Sequence, residues 1–237
     1  MRQHYKTTIL HDDRTTRPHR QTHFTHFNNM GSPHFGITAN VDITEFLGCV
    51  RRSPTLRFTP AMVYLITRTA LEVRPFRWRI RRCKVGGEES KVEVVEHDNL
   101  RPSWAVPTEA SSAFSFCTVA YDPDPLVFHQ AAEAMMERMK TRPNFTDEPG
   151  ADDYLFLSTF PWASFTNVTH AMPVGEQADS IPRIVWGKYF RQGDKTLMPL
   201  AVQAHHAVVD GSDLGRYYQL IQQHFKKSAP IFKLFMP

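Results

Sequence analysis

Cysteine is scarce, with three in 237 residues, at Cys49, Cys83 and Cys117. None belongs to a CxxC pair, which argues against a disulfide framework or a thiolate zinc site. No apolar run approaches the roughly 20 residues that span a bilayer. The N-terminal stretch Met1-Arg2-Gln3-His4-Tyr5-Lys6 has no apolar signal core, so a cytoplasmic protein without a membrane partner is expected. There is no GxSxG elbow to carry a hydrolytic serine. Internal repeats and a domain linker are also missing.

What is present is ordinary in bulk. Apolar residues make up 41% and charged residues 22%, and the formal net charge is +4. Such a chain has enough material for one well-packed domain. Residues 18–237 are read as that domain and residues 1–17, polar and patternless, as a loose arm. Histidine is abundant at 12. His4, His11, His19, His23, His26 and His34 crowd the start and are read as loop and strand-face residues, with no helical or HxH spacing and no metal site. Arg74, Arg77, Arg79, Arg81, Arg82 and Lys84 form a basic cluster. Its alternation suggests one solvated face of a strand, or an attraction for a phosphorylated cofactor. No nucleic-acid-binding motif accompanies it, so nucleic acid is not an expected partner.

Period-2 patterning predicts strands at 36–43, 77–83, 91–96, 114–121, 154–158, 182–190 and 195–204. Gly86-Gly87 separates two of them, and Gln192-Gly193-Asp194 makes a hairpin turn between the last two. Helices are predicted from Thr44, as N-cap, and from Thr59-Pro60 through Val73. Others are expected over 125–140, with Met135, Met136 and Met139 as core filler, and over 212–227. The last carries an apolar stripe of Leu214, Tyr217, Tyr218, Ile221 and Phe225. Strands joined by hairpins, with a few helices, predict an α/β (α+β) two-layer sandwich with a mixed β-sheet covered by helices.

The chemistry concentrates in Gln203-Ala204-His205-His206-Ala207-Val208-Val209-Asp210-Gly211, between a strand and a helix. An imidazole held at a strand end, with an ordinary pKa of about 6.5, is suited to accept a proton near neutral pH. Metal binding by this pair lacks further ligands at recognisable spacing. A lone general base suits acyl transfer, in which a bound hydroxyl loses its proton while attacking a thioester. The protein then needs only a base and an oxyanion partner.

His-His-Ala-Val-x-Asp-Gly resembles the signature of the chloramphenicol acetyltransferase family. Arg20-x-x-His23-Phe24, residues 35–44 and 59–66, Ser158-x-x-Pro161-Trp162-x-x-Phe165, Gly187-Lys188-Tyr189 and Met198-Pro199-Leu200-x-Val202-Gln203 are similar to further segments of it, in order. The resemblance implies a homotrimer of two-layer sandwiches with sites between subunits. It implies acetyl transfer from acetyl-CoA, as co-substrate, to a small-molecule hydroxyl acceptor, without a metal. His206 would be the general base, its other ring nitrogen tied to its own backbone carbonyl. Asp210 and Arg20 would form a buried structural ion pair, and Ser158 would donate to the oxyanion. Arg57, Lys188 and Tyr189 would serve the nucleotide end of CoA, and Phe27, Phe35, Phe114 and Phe116 the acceptor pocket.

The chain departs from that pattern at several points. Ser212 and Asp213 replace an aromatic and a histidine, and Pro18 replaces a tryptophan. Val185 replaces a threonine that solvates the intermediate, and Phe27 a tyrosine. Phe116 stands where a small residue is common. Two other readings are a dihydrolipoamide acyltransferase-like enzyme and a non-catalytic small-molecule binding protein on the same scaffold. The missing lipoyl-like domain and Ala/Pro-rich linker speak against the first of these.

Overall fold

The computed structural model describes residues 6–9, 18–85, 88–173 and 179–236, excluding the side chains of 18, 19, 83–85 and 88–91. The expected Gly86-Gly87 turn, His4, His11 and most of the N-terminal arm lie outside the described residues. In chain order the elements are β1 (Thr7–Ile9), α1 (Pro18–Asn28), β2 (His34–Asp42), α2 (Thr44–Arg52) and α3 (Phe58–Glu72). After a 3₁₀ turn, Arg74–Arg77, come β3 (Trp78–Val85), β4 (Glu88–His97), β5 (Arg101–Pro107), β6 (Phe114–Thr118) and α4 (Pro125–Thr141). The chain continues with β7 (Tyr154–Phe160), β8 (Arg183–Gly187), β9 (Phe190–Gln192), β10 (Lys195–His205), α5 (Gly211–Lys226) and α6 (Ser228–Ile231).

Seven strands form a mixed sheet in the order β2-β10-β8-β7-β5-β6, with β9 also on β10. β7 runs parallel to both β5 and β8, and the other pairings are antiparallel. β1, β4 and β3 form a separate antiparallel sheet. β10 is the spine. It pairs with β2 without interruption from Leu197↔Asp42 to His205↔His34. Gly193, at φ 58°, turns β9 into β10, a left-handed conformation that glycine adopts without steric cost.

Alternation along the strands gives the sheet two faces. Leu155, Leu157, Ile184, Trp186, Met198, Leu200, Val202 and Ala204 point into one core shared with the helices. α3 sits at its centre, between α4 and α5, with Ala61, Met62, Val63, Tyr64, Leu65 and Ile66 all buried. A helix apolar on several sides packs those sides against other elements, as this one does. The opposite face of the sheet carries Ser158, Val185, Gln203 and His205.

Local chemistry corrects several expectations. Thr44 is not the cap of α2. Asp42 accepts the Thr44 backbone N–H at 3.0 Å and its hydroxyl at 2.6 Å. α3 begins at Phe58, one residue before Thr59, and its first residues have no side-chain cap. β8 and β9 are two short strands broken at Lys188-Tyr189 rather than one continuous run. Thr7–Ile9, inside the segment read as a loose arm, pairs with β4. α1 was not foreseen, yet His19, His23 and His26 recur at helical spacing along it. β5 was also unforeseen, because Pro102 and Pro107 argue against an interior strand. It nevertheless lies between β6 and β7, with Trp104 fully buried.

Arg74 and Arg82 of the basic cluster are exposed, but its central members do not form a solvated face. Arg79 is 1% exposed and donates to the backbone oxygens of Phe76, Trp78, Asp152 and Tyr154 at 2.6–2.9 Å. Arg81 grips the Asp152 carboxylate with two bonds of 2.8 Å, and Arg77 pairs with Glu96 at 2.7 Å. Arg79 and Arg81 tie the small sheet to the segment that enters β7, and Arg77 ties the 3₁₀ turn to β4. They are therefore not available to a phosphorylated cofactor.

Candidate active site

β10 ends at His205, and the chain turns there into α5. The turn is pinned by backbone bonds. The His206 N–H donates to Pro33 O at 2.9 Å, and Val208 and Val209 both donate to His205 O. Register places Phe35 opposite Ala204, beside the turn, and α1 brings Arg20, His23 and Phe27 over it.

His206 lies between two aromatic rings. Phe27 stacks on it at 3.9 Å and 15°, and Phe35 at 4.2 Å and 26°. His23 meets it edge-on at 5.7 Å. The Nδ1 atom is buried and makes no hydrogen bond, which corrects the expected tie to the residue's own carbonyl. The other ring nitrogen, Nε2, is therefore the one that can meet a reactant. Arg20, His23, His206 and Asp210 border a narrow cavity of about 10 Å³, room for a single water.

His205 is chemically different. Its Nδ1 accepts the Ala207 N–H at 3.2 Å, and its ring packs edge-on against His34 at 5.1 Å. Burial pushes its pKa down to about 3, with the nearby His34 adding to the effect. It stays neutral and is a structural neighbour. Burial also lowers His23, helped by His206 and Arg20.

Arg20 and Asp210 are brought together as expected, Nη1 to Oδ2 at 3.6 Å. The pair is not buried in the single chain, where the side chains are 40% and 21% exposed. A pair that exposed is worth about 0–1 kcal/mol. Asp210 does more as the N-cap of α5, where its side chain accepts from the Ser212 and Asp213 backbone.

Ser158 is not near His206 within one chain. On β7 it lies level with Val185, which lies level with Ala201 on β10. Five further residues lead from Ala201 to His206, about 16 Å along the strand and about 10 Å across two strand spacings. Ser158 and Val185 are instead neighbours on the face of the sheet opposite the helices. Phe116 on β6 is paired with Ala105 on β5, in the same cross-strand row. Phe114 touches Phe116 at 5.6 Å between rings. The four expected pocket phenylalanines thus divide: Phe27 and Phe35 flank His206, while Phe114 and Phe116 lie toward the β6 edge, on the side of Ser158.

The expected nucleotide-binding residues form a third group. Tyr189 packs on Phe58 at 6.3 Å, the residue after Arg57, and Lys188 precedes it. Arg57 is exposed and has Glu133 at 3.6 Å. Its backbone N–H donates to the buried His129 at 2.9 Å. Gly187 is required here: a Cβ would lie 2.7 Å from Pro199 and 2.8 Å from Phe165. That contact locks the segment ending at Phe165 onto the turn that presents Lys188 and Tyr189.

Asp213 was missed as a site residue, though Asp210-x-x-Asp213 before an apolar run is a capping-box spacing. His23 was read as a loop or strand-face residue and, through the resemblance, as part of Arg20-x-x-His23-Phe24; the 19/23/26 spacing could have placed it on a helix. Among the described residues no cluster of three or more His, Cys, Asp or Glu could hold a metal, and no helix is long and apolar enough to cross a membrane.

Comparison with known proteins shows the family and the fold. A chloramphenicol acetyltransferase of Klebsiella sp. is 30% identical over 206 residues, 87% of this chain and 89% of its own length. A solved chloramphenicol acetyltransferase shares the fold with a TM-score of 0.73 at 20% identity, covering 92% of this chain and 100% of that one. The dihydrolipoamide acetyltransferase of Azotobacter vinelandii follows at 0.61 and 14%, covering 89% of this chain and 88% of its own. The family model for chloramphenicol acetyltransferase matches residues 13–222, and the chain belongs to that acyltransferase family.

Proposed function

We propose that this acyltransferase moves acetyl from acetyl-CoA to a hydroxyl of chloramphenicol or a similar small acceptor, inactivating the antibiotic. His206 Nε2 takes the hydroxyl proton as the oxygen attacks the thioester carbonyl. Ser158 donates its hydroxyl to the oxyanion that forms. The C–S bond then breaks, and the proton held by His206 passes to the leaving thiolate, giving CoA and the acetyl ester. Arg57, Lys188 and Tyr189 receive the nucleotide end, where cations meet phosphate and an aromatic face meets adenine. Phe27, Phe35, Phe114 and Phe116 wall the acceptor, and Asp210 with Arg20 steadies the loop of the base.

The separation of Ser158 from His206 carries the quaternary part of this reading. One chain holds the base with Phe27 and Phe35, and holds the oxyanion donor with Phe114 and Phe116 elsewhere. A homotrimer with sites between subunits joins the two halves. The proposed location is the cytoplasm, where acetyl-CoA would be supplied as co-substrate.

Thiol release from acetyl-CoA with chloramphenicol, followed for the wild type and His206→Ala, tests the chemistry. Release that depends on both acceptor and His206 is expected. Chloramphenicol-independent release, or full turnover by His206→Ala, would overturn it.

A further inference from the structure

We propose that Asp213 and Ser212 are positioning residues for His206, acting through Asp210. The inference rests on His206 being the base, as proposed above.

The segment 206–210 links β10 to α5. Its first half is fixed by backbone bonds to Pro33 and His205. Its second half is held through Asp210. Oδ1 of Asp210 accepts the Ser212 N–H at 3.0 Å, the Ser212 hydroxyl at 2.6 Å and the Asp213 N–H at 3.3 Å. In return the Asp213 carboxylate accepts the Asp210 backbone N–H at 3.0 Å. Four bonds therefore join Asp210 to the two residues after Gly211, while Oδ2 faces Arg20 at 3.6 Å. Asp213 is 8% exposed, so its carboxylate is committed to the loop rather than to solvent.

Ser212 and Asp213 are two of the positions at which the sequence departs from the family pattern it resembles. Asp213 supplies the carboxylate that completes a capping box with Asp210, and Ser212 adds its hydroxyl to Asp210 Oδ1. The loop's end is thereby fixed to the first turn of α5, a rigid element. The Arg20 contact becomes one tether among several. Small displacements of a catalytic group cost rate steeply, about 100-fold for 1 Å. A device that fixes Asp210 thus acts on kcat rather than on substrate affinity.

The test is steady-state thiol release at saturating acetyl-CoA and chloramphenicol, with melting temperatures recorded for each variant. Asp213→Ala is expected to lower kcat by about 10- to 100-fold in folded protein, with both KM values within about twofold. Asp213→Asn keeps an oxygen for the Asp210 N–H and should return kcat to within about threefold of wild type. Ser212→Ala, on an exposed side chain, keeps the protein folded even where Asp213→Ala does not, and should lower kcat by about fivefold. Wild-type kcat in folded Asp213→Ala or in Ser212→Ala would overturn the inference. So would an equal loss in Asp213→Asn and Asp213→Ala. His206→Ala, run alongside, reports on the base itself: an inactive His206→Ala beside fully active Asp213 and Ser212 variants removes only the positioning role.

Discussion

The imidazole of His206 and the ring of Phe27 lie face to face, with centroids 3.9 Å apart and planes 15° apart. Phe35 stacks at 4.2 Å on the remaining face. Since Nδ1 makes no hydrogen bond, these two contacts set the plane of the ring. Stacking on both faces resists rotation of the ring about its Cβ–Cγ bond, and the loop backbone limits the remaining motion.

Removing one wall should therefore loosen the base without unfolding the protein. Aromatic pairs contribute about 0.5–1.5 kcal/mol beyond area burial, so Phe27→Ala is expected to lower kcat by about tenfold. Phe27→Tyr preserves the stack and should stay within about twofold of wild type. Steady-state kinetics with chloramphenicol checks both. An unimpaired Phe27→Ala would mean that the stack does not orient the base.

Because Ser158 and His206 are apart in one chain, inactive variants should complement each other. Ser158→Ala and His206→Ala proteins made separately are each expected to be impaired. When they are co-expressed and assemble as the proposed homotrimer, about a quarter of the sites would join an intact His206 to an intact Ser158 of a neighbour. Activity of the mixture at about a quarter of wild type is expected by thiol-release assay. Activity no higher than that of the better variant alone would show that each chain builds its own site.

Much of the fold was legible because period-2 alternation is strong where one sheet face is buried. β2 and β10 read clearly, as did the stripe of α5 with Leu214, Tyr217, Ile221 and Phe225. β5 did not, since its two prolines mimic a loop while its neighbours supply the pairing that local sequence cannot show. α1 was hidden because its residues are mostly polar and its histidines resemble a low-complexity tract. Arg79 illustrates a further limit. Its place in an alternating basic run suggested solvent, whereas four backbone oxygens from two segments of the chain, 76–78 and 152–154, enclose it. Of the site, the residues on the β10–α5 turn were readable from motif and spacing alone. That Ser158 stands two strands and several residues away follows only from the register of β7, β8 and β10.

Arg79 should be among the most sensitive positions for stability. Burial lowers its pKa to about 10, so it remains protonated at neutral pH and each of its bonds is charge-assisted. Arg79→Met leaves the oxygens of Phe76, Trp78, Asp152 and Tyr154 without that donor. A loss of about 3–5 kcal/mol is expected, or a melting temperature lower by about 10 °C. Scanning calorimetry measures it; a shift under about 2 °C would show that water replaces the guanidinium.

Acid should destabilise the protein well before its carboxylates titrate. Burial holds His205 at about 3, below its ordinary 6.5, so between those values the unfolded chain binds a proton that the folded chain does not. Stability then rises with pH across that window, is complete above about 6.5 and is lost progressively as pH falls toward 3. His34, His129, His170 and His224 are lowered in the same direction, with burial the leading cause in each. Asp42, Asp152 and Asp179 are held below 3.8 by their hydrogen-bond and cationic partners against the opposing effect of burial, so their stabilisation persists until pH nears that value. Between about pH 6 and 4 the histidines dominate, and His205 alone contributes about 1.4 kcal/mol per pH unit. Urea denaturation from pH 8 to 4 should show a plateau and then a steep fall. His205→Asn, which keeps an acceptor for the Ala207 N–H, should reduce the slope by about one proton. An unchanged slope in that variant would mean that His205 is protonated in the folded state.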